Sequence, residues 1–266
     1  MTPIATAEPN ESLHQFVSTW EMLVRPFPAA EITETPGLAF NWANIPFIFY
    51  NSVFLTDALS DARVLNDRIA EALAFIRSRP APGWMVVCED QLSGAAKERM
   101  AQIAEEEQFA PLPMTGMVGD ILPLPESPTP ELRFVRISDD ATITDFVDLN
   151  CLAYGVSIEA GRSIVKEHTL WRTYAHGFVA YKGDKPVATA TGIVNGDCIL
   201  LFLVATAADE RRKGYADAVI RRALNTAYEA SGIKRTVLHA TEMGAPVYLR
   251  MGYHATARFK GYIPKA

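Results

Sequence analysis

The sequence is poor in cysteine, with Cys88, Cys151 and Cys198 the only three in 266 residues. An odd, widely spaced set like this excludes a disulfide framework. Each thiol stands beside apolar residues, as reduced, buried cysteines of a cytosolic protein do. No Cys-x-x-Cys pair and no Cys/His pair at ligand spacing occurs, so no metal site is expected. Long apolar runs are lacking too. "CILLFLVA" and "IPFIFY" are far too short to span a bilayer, so no membrane partner is expected. The opening "MTPIATAEPNESLHQF" has neither the basic region nor the apolar core of a secretory signal. Nor is there a basic surplus: 25 Lys and Arg against 31 Asp and Glu leave a net charge of −6, which argues against a nucleic-acid partner. What remains, 49% hydrophobic and 21% charged, is the profile of a soluble globular chain, read here as cytoplasmic.

Proline, by contrast, is crowded into "DILPLPESPTPEL", Asp120 to Leu132, which holds Pro123, Pro125, Pro128 and Pro130. That density blocks a helix or a central strand and favours an extended connector. The chain is therefore expected to divide into residues 1–120, a linker over 121–131 and a second domain over 132–266. A long surface loop inside one domain is the alternative.

Beyond the linker, apolar residues alternate between strand and helix periods. "LRFVRI" is a strand. "DDATITDFVDLNCLAYG" is a helix with Asp139 or Asp140 as N-cap and Gly155 as its stop. A second helix is expected over Ile158 to Trp171. "GFVAYKGDKPVATATGIVNGDCILLFLVA" reads as three strands, joined at Lys182-Gly183-Asp184-Lys185 and at Asn195-Gly196, a hairpin signal. A helix from Gly214 to Ala230 carries an apolar stripe of Ala216, Ile220, Ala223, Leu224 and Ala227. The strand "RTVLHA", the short helix "APVYLRMG" and the strand "ATARFKGYI" complete the order β-α-α-β-β-β-α-β-α-β. In the first half, "FIFYNSVFL", "DRIAEALAFIRSR", "GWMVVCED", "AAKERMAQIAEEE" and "MTGMVGDIL" repeat the latter part of that order. The offset is about 150 residues, as an internal duplication would leave.

Candidate chemistry lies in "LFLVATAADERRKGYADAVIRRAL", Leu201 to Leu224. Arg211, Arg212 and Lys213 stand where a helix begins, although the helix dipole disfavours a cation there by roughly 0.3–1 kcal/mol. Gly214 between strand and helix lets backbone approach a ligand closely. The free N–H groups of the helix start, here Gly214, Tyr215 and Ala216, form a concavity for phosphate. The three cations then serve the same anion. The alternative is a solvated basic turn, its arginines offset by Asp209 and Glu210.

Arg211-x-x-Gly214-x-Ala216, placed after a strand and before a helix, resembles the pyrophosphate loop of the GCN5-related N-acetyltransferase (GNAT) superfamily. Tyr248-x-x-x-Gly252-Tyr253 is similar to a second segment of that family. The resemblance covers Leu132 to Ile263. One departure is Ala208, where the family often has proline. The loop follows the fourth strand of its domain, with no acidic ribose partner, which sets it apart from a Rossmann loop, and no P-loop sequence is present. The resemblance implies an α/β fold of the α+β kind, with a mixed, mostly antiparallel sheet flanked by helices, in two tandem GNAT-like domains.

It also implies an acyl-CoA-dependent N-acyltransferase, with acetyl-CoA as donor, no metal, and a primary amine of a small molecule or peptide as acceptor. Backbone N–H groups at Leu203 and Val204 would stabilise the oxyanion, and Tyr248 would protonate the leaving thiolate. Glu242 is the weak candidate for base. Glu167, His168, His176 and His239 read as structural or solvated, an ordered water being the other acceptor of the proton, and Cys151 as a buried thiol. Where the first half should carry its own loop, "LTDALSDARVLNDR" has neither glycine nor basic cluster. That half is expected to be a degenerate copy that covers the acceptor side or forms a homodimer surface, with Trp20, Trp42 and Trp84 in its core. The rival reading is a non-catalytic acyl-CoA-binding regulatory module.

Overall fold

A helix and a hairpin precede everything the sequence pattern brought out. In the computed structural model, which describes residues 7–124, 131–165 and 170–264, helix α1 (Ala7–Val24) buries Leu13, Phe16, Trp20, Leu23 and Val24. These recur at the three- and four-residue spacing of one helix face. Strands β1 (Glu31–Thr35) and β2 (Leu38–Trp42) then form an antiparallel hairpin. Its turn is closed by Gly37 at φ +80°, a backbone region that glycine enters without a Cβ penalty. Next come β3 (Asn51–Leu55), α2 (Ala62–Arg77), β4 (Trp84–Cys88), α3 (Gly94–Glu106) and β5 (Ala110–Asp120).

The second half holds β6 (Leu132–Arg136), α4 (Asp140–Tyr154), α5 (Ile158–Val165), α6 (Leu170–Thr173), β7 (Ala175–Lys182), β8 (Lys185–Asn195) and β9 (Cys198–Thr206). These are followed by α7 (Tyr215–Ser231), β10 (Arg235–Thr241), α8 (Ala245–Arg250) and β11 (His254–Ile263). Asp139 is the N-cap of α4, in a capping box with Thr142, and Gly155 ends it at φ +67°. The helix expected over Ile158 to Trp171 is represented by α5 and α6. Residues 166–169, with Glu167 and His168, and residues 125–130 of the proline-rich segment lie outside the described residues.

The duplication is visible as topology. Strands β1-β2-β3 are antiparallel neighbours, α2 follows, and β4 pairs with β3 in parallel. Strands β7-β8-β9 are antiparallel neighbours, α7 follows, and β10 pairs with β9 in parallel. A parallel pair needs a crossover, and a helix supplies it both times.

Two compact units result. One comprises Met1–Met117, His239–Tyr248 and His254–Ala266, the other Val118–Leu238 and Leu249–Tyr253. In the first unit the last strand of the chain, β11, pairs antiparallel with β4, from Phe259↔Cys88 to Tyr262↔Met85. Val53, Leu55, Met85 and Val87 point to the core under α2 and α3. Their neighbours Phe54 and Trp84 face α1 with Phe16 and Trp20, in edge-on ring contacts, as strand alternation requires. Trp42 and Trp84 are fully buried and Trp20 nearly so.

In the second unit α7 packs on β7, β8 and β9. Gly192 of β8 lets it come close: a Cβ there would stand 3.2 Å from Cβ of Ala227. The buried face of α7 includes Val219, Ile220, Ala223, Leu224 and Ala227, while Ala216 sits at its half-buried margin. Each fully buried Val, Leu or Ile contributes about 1.5–3 kcal/mol, more than the cost of a cation at the helix start. Packing thus carries a helix whose first turn is electrostatically unfavourable. Among the described residues no helix is long and apolar enough to cross a membrane, and no cluster of His, Cys, Asp or Glu could hold a metal ion. All three cysteines are buried thiols outside any disulfide.

Candidate active site

The loop after β9 makes a short 3-10 turn over Ala208–Glu210 and then changes backbone hand. Arg212 lies at φ +64° and Gly214 at φ +81°. Gly214 is the N-cap of α7, and among the described residues no side chain caps the first N–H groups of that helix. A Cβ at Gly214 would meet nothing within 4 Å, so the ground in front of the helix is open. The left-handed φ requires glycine here, and crowding does not.

The charges sort themselves by pairing. Lys213 Nζ donates to Glu210 at 2.6 Å, and Lys185 Nζ reaches Asp209 at 2.5 Å and Glu210 at 3.7 Å. Asp217, the acid in the first turn of α7, is held by Arg221 at 2.8 Å. The acids Asp209 and Glu210 are thus engaged by Lys185 and Lys213. Neither Arg211 nor Arg212 has a carboxylate partner among the described residues; Arg211 Nε donates at 3.4 Å to the carbonyl of Thr206. Both arginines are exposed. An uncapped helix start beside two arginines free of carboxylates fits an anion such as the pyrophosphate of acetyl-CoA. Tyr215 contributes only backbone to this opening. Its side chain is 1% exposed, and its hydroxyl donates to Glu131 at 2.8 Å. Lys182 donates to the same hydroxyl at 3.3 Å and pairs with Glu131. The Tyr215 hydrogen bond, then Lys182, hold the Glu131 carboxyl below its ordinary pKa.

The corresponding place in the first unit is closed. Asp61, N-cap of α2, accepts from the N–H groups of Arg63 at 2.7 Å and Val64 at 3.4 Å. An internal carboxylate therefore occupies the position that a phosphate would take. Strands β3 and β4 keep parallel register over four pairs, Ser52↔Trp84 to Leu55↔Val87. Strands β9 and β10 keep it over two, Thr236↔Ile199 and Val237↔Leu200, while β9 continues to Thr206.

Leu203 and Val204 lie where β9 is irregular. Thr189 of β8 faces Ala205 and Thr191 faces Phe202, so two residues of β9 stand against Ala190 alone. This is a β-bulge, and Leu203 adopts φ +48° within it. Helix α4 braces it. Asn150 Nδ2 donates to Thr189 Oγ1 at 3.1 Å, and that hydroxyl donates to the carbonyl of Leu203 at 3.3 Å. One turn further on, Tyr154 donates to the carbonyl of Val204 at 3.0 Å. Sequence reasoning missed Asn150, Thr189 and Tyr154. Only the four-residue spacing of Asn150 and Tyr154 on one helix face hinted at a pair.

Tyr248 and Glu242 belong with the first unit. Tyr248 is half-buried on α8, and Glu242 is exposed in the turn after β10. His239 stacks on Phe16 with ring centroids 4.0 Å apart and lies within hydrogen-bond reach of Ser12 Oγ at 3.3 Å. Burial lowers its pKa to about 4. His176, beside Arg136 at 3.4 Å, is also shifted down, first by burial and then by that guanidinium.

The fold is of mixed α/β type, and the open helix start fits a phosphate-bearing ligand. More narrowly, residues 144–253 match the family described as "Acetyltransferase (GNAT) family", and the second half of the chain is a GNAT-type acetyltransferase domain. No curated protein matches the chain. Among solved structures, the chain is similar to a GCN5-related N-acetyltransferase from Kribbella flavida, at TM-score 0.71 and 14% identity over 96% of both chains. A tandem GNAT protein from the clavulanic acid biosynthesis pathway matches at TM-score 0.60 and 12% identity, over 95% of this chain and 94% of that one. A GCN5-related N-acetyltransferase from Sphaerobacter thermophilus matches at TM-score 0.60 and 14% identity, over 91% and 84%. At such identities the likeness is one of fold. It extends over nearly the whole chain, first half included.

Proposed function

We propose that residues 132–266 transfer the acetyl group of acetyl-CoA directly to a primary amine of a small molecule or peptide, in the cytoplasm. The observation that carries this reading is the open N-terminus of α7, with Gly214 as N-cap and Arg211 and Arg212 free of carboxylates. Arg211, Arg212, Lys213 and the N–H groups of Gly214, Tyr215 and Ala216 hold the pyrophosphate. Leu203 and Val204 present backbone N–H groups to the thioester carbonyl, where negative charge develops as the amine attacks. An alkyl amine has a pKa near 10 and must lose its proton before it attacks. Glu242 or a water takes that proton, and Tyr248 donates one to the departing thiolate. The first half, whose helix start is filled by Asp61, binds no acetyl-CoA of its own. It covers the acceptor side or forms a homodimer surface.

Calorimetric titration of acetyl-CoA into the protein tests the reading, with Gly214→Asp as control. Micromolar binding that the aspartate abolishes is the expected result. Equal affinity in both proteins would remove the loop from the site. Binding without any transfer to a panel of amines would leave the regulatory reading instead.

A further inference from the structure

Helix α4 spends two polar side chains, four residues apart, on one irregular point of β9. Asn150 is 6% exposed, and both hydrogens of its amide are used, one on the carbonyl of Phe146 at 2.8 Å and one on Thr189 Oγ1. Its Oδ1 is buried without a partner among the described residues. Such an orphan costs about 1–3 kcal/mol, so an apolar residue would serve stability better here. Thr189 is fully buried. Its hydroxyl accepts from Asn150, which leaves its single hydrogen for the carbonyl of Leu203.

Peptide geometry gives these bonds their consequence. In a trans peptide the C=O of one residue and the N–H of the next lie in one plane and point opposite ways. Holding the Leu203 carbonyl toward Thr189 therefore aims the Val204 N–H away from β8. Holding the Val204 carbonyl toward Tyr154 fixes the following plane. Both peptide planes that flank the Val204 Cα are tied to side chains, so its N–H cannot swivel.

We propose that Thr189, oriented by Asn150, and Tyr154 are positioning residues that lock the bulge of β9 and aim the Val204 N–H at the acyl carbonyl. The inference rests on the acetyl-CoA reading above. It explains why a strand that is otherwise regular tolerates a leucine at φ +48°. Left-handed backbone at such a residue costs about 1–2 kcal/mol and persists only where the surroundings dictate it.

The test uses the full chain and acetyl-CoA labelled with carbon-13 at the thioester carbonyl. In the wild type, infrared difference spectra should show the bound carbonyl at lower wavenumber than in free acetyl-CoA. Tyr154→Phe, which keeps the ring, and Thr189→Val, which keeps the volume, should each lose most of that displacement while the dissociation constant for CoA stays within about twofold. Thr189→Ser, which keeps the hydroxyl, should retain it. Removing an oxyanion donor costs on the order of 10²–10³-fold in kcat; loosening one should cost about tenfold per variant, with KM for acetyl-CoA unchanged. Leu203 Cα and Cβ chemical shifts should leave their left-handed values in both defective variants, even with no ligand present. Wild-type carbonyl displacement and Leu203 shifts retained in Tyr154→Phe and Thr189→Val would overturn the inference and leave the acetyl-CoA reading standing. Loss in Thr189→Ser equal to that in Thr189→Val would reduce Thr189 to packing and overturn its part. Absence of acetyl-CoA binding in the wild type would bring down the reading itself, and this inference with it.

Discussion

Asp61 and Gly214 stand at the same point of two β-α-β crossovers and treat it in opposite ways. Asp61 turns its carboxylate onto the first N–H groups of α2, whereas Gly214 leaves those of α7 open at φ +81°. One helix start is capped by a carboxylate and the other is open. Gly214→Ala separates conformation from charge. Its Cβ would stand in open space, so the cost is the left-handed backbone, about 1–2 kcal/mol of stability, read by calorimetry. Acetyl-CoA affinity should fall far less than in Gly214→Asp.

Asp61→Ala should destabilise by about 1 kcal/mol, the usual loss of an N-cap. In a chain of this size that is a fall of about 2–4 °C in Tm. Acetyl-CoA affinity should stay at the wild-type value, since the proposed site lies in the other crossover. A weaker dissociation constant in this variant would contradict the division of labour between the two halves.

Arg211→Ala and Lys213→Ala should not be equivalent. Lys213 is already paired with Glu210, while Arg211 meets only a carbonyl. A hydrogen bond to a charged group is worth about 1.5–3 kcal/mol, so Arg211→Ala should weaken acetyl-CoA binding about 10- to 100-fold. Lys213→Ala should weaken it severalfold at most. Titrations at rising salt should flatten the difference, because exposed charges are screened.

Tyr248→Phe should reduce kcat for acetyl transfer by about 10²-fold, as loss of a general acid does, with the affinity for acetyl-CoA unchanged. Turnover that survives intact would assign the proton to water or another group.

His239 predicts a dependence of stability on pH. Its pKa in the folded chain is lowered to about 4 by burial, against about 6.5 for an unfolded histidine. Between those values the unfolded chain binds the proton and the folded one does not. The stabilising contribution is therefore complete above pH ~6.5 and is lost as pH falls toward ~4. Urea unfolding at pH 7 and pH 4.5 should show a smaller loss of stability in His239→Phe than in the wild type. An identical loss would mean that the ring does not titrate in this range.

Much of the second half was legible because its signals are local. Asp139 before an apolar helix, Asn195-Gly196 between alternating runs, and glycine with cations after a strand each act within a few residues. The helix α1 was legible in principle from Leu13, Phe16, Trp20 and Leu23, but its polar N-terminal turns obscured the stripe.

By itself the sequence determined the order of elements in the second half, the loop from Arg211 to Ala216 and the absence of a comparable loop in the first half. Tertiary structure alone decided which carboxylates engage Lys185 and Lys213 and so leave the two arginines unclaimed. It alone set β11 beside β4 and put a bulge into "CILLFLVAT", a run that reads as an unbroken strand. The physical reason is range. Caps and turns are settled by neighbours in the chain, but pairing register and charge partners depend on groups brought together from far apart, such as Asn150, Thr189 and Leu203.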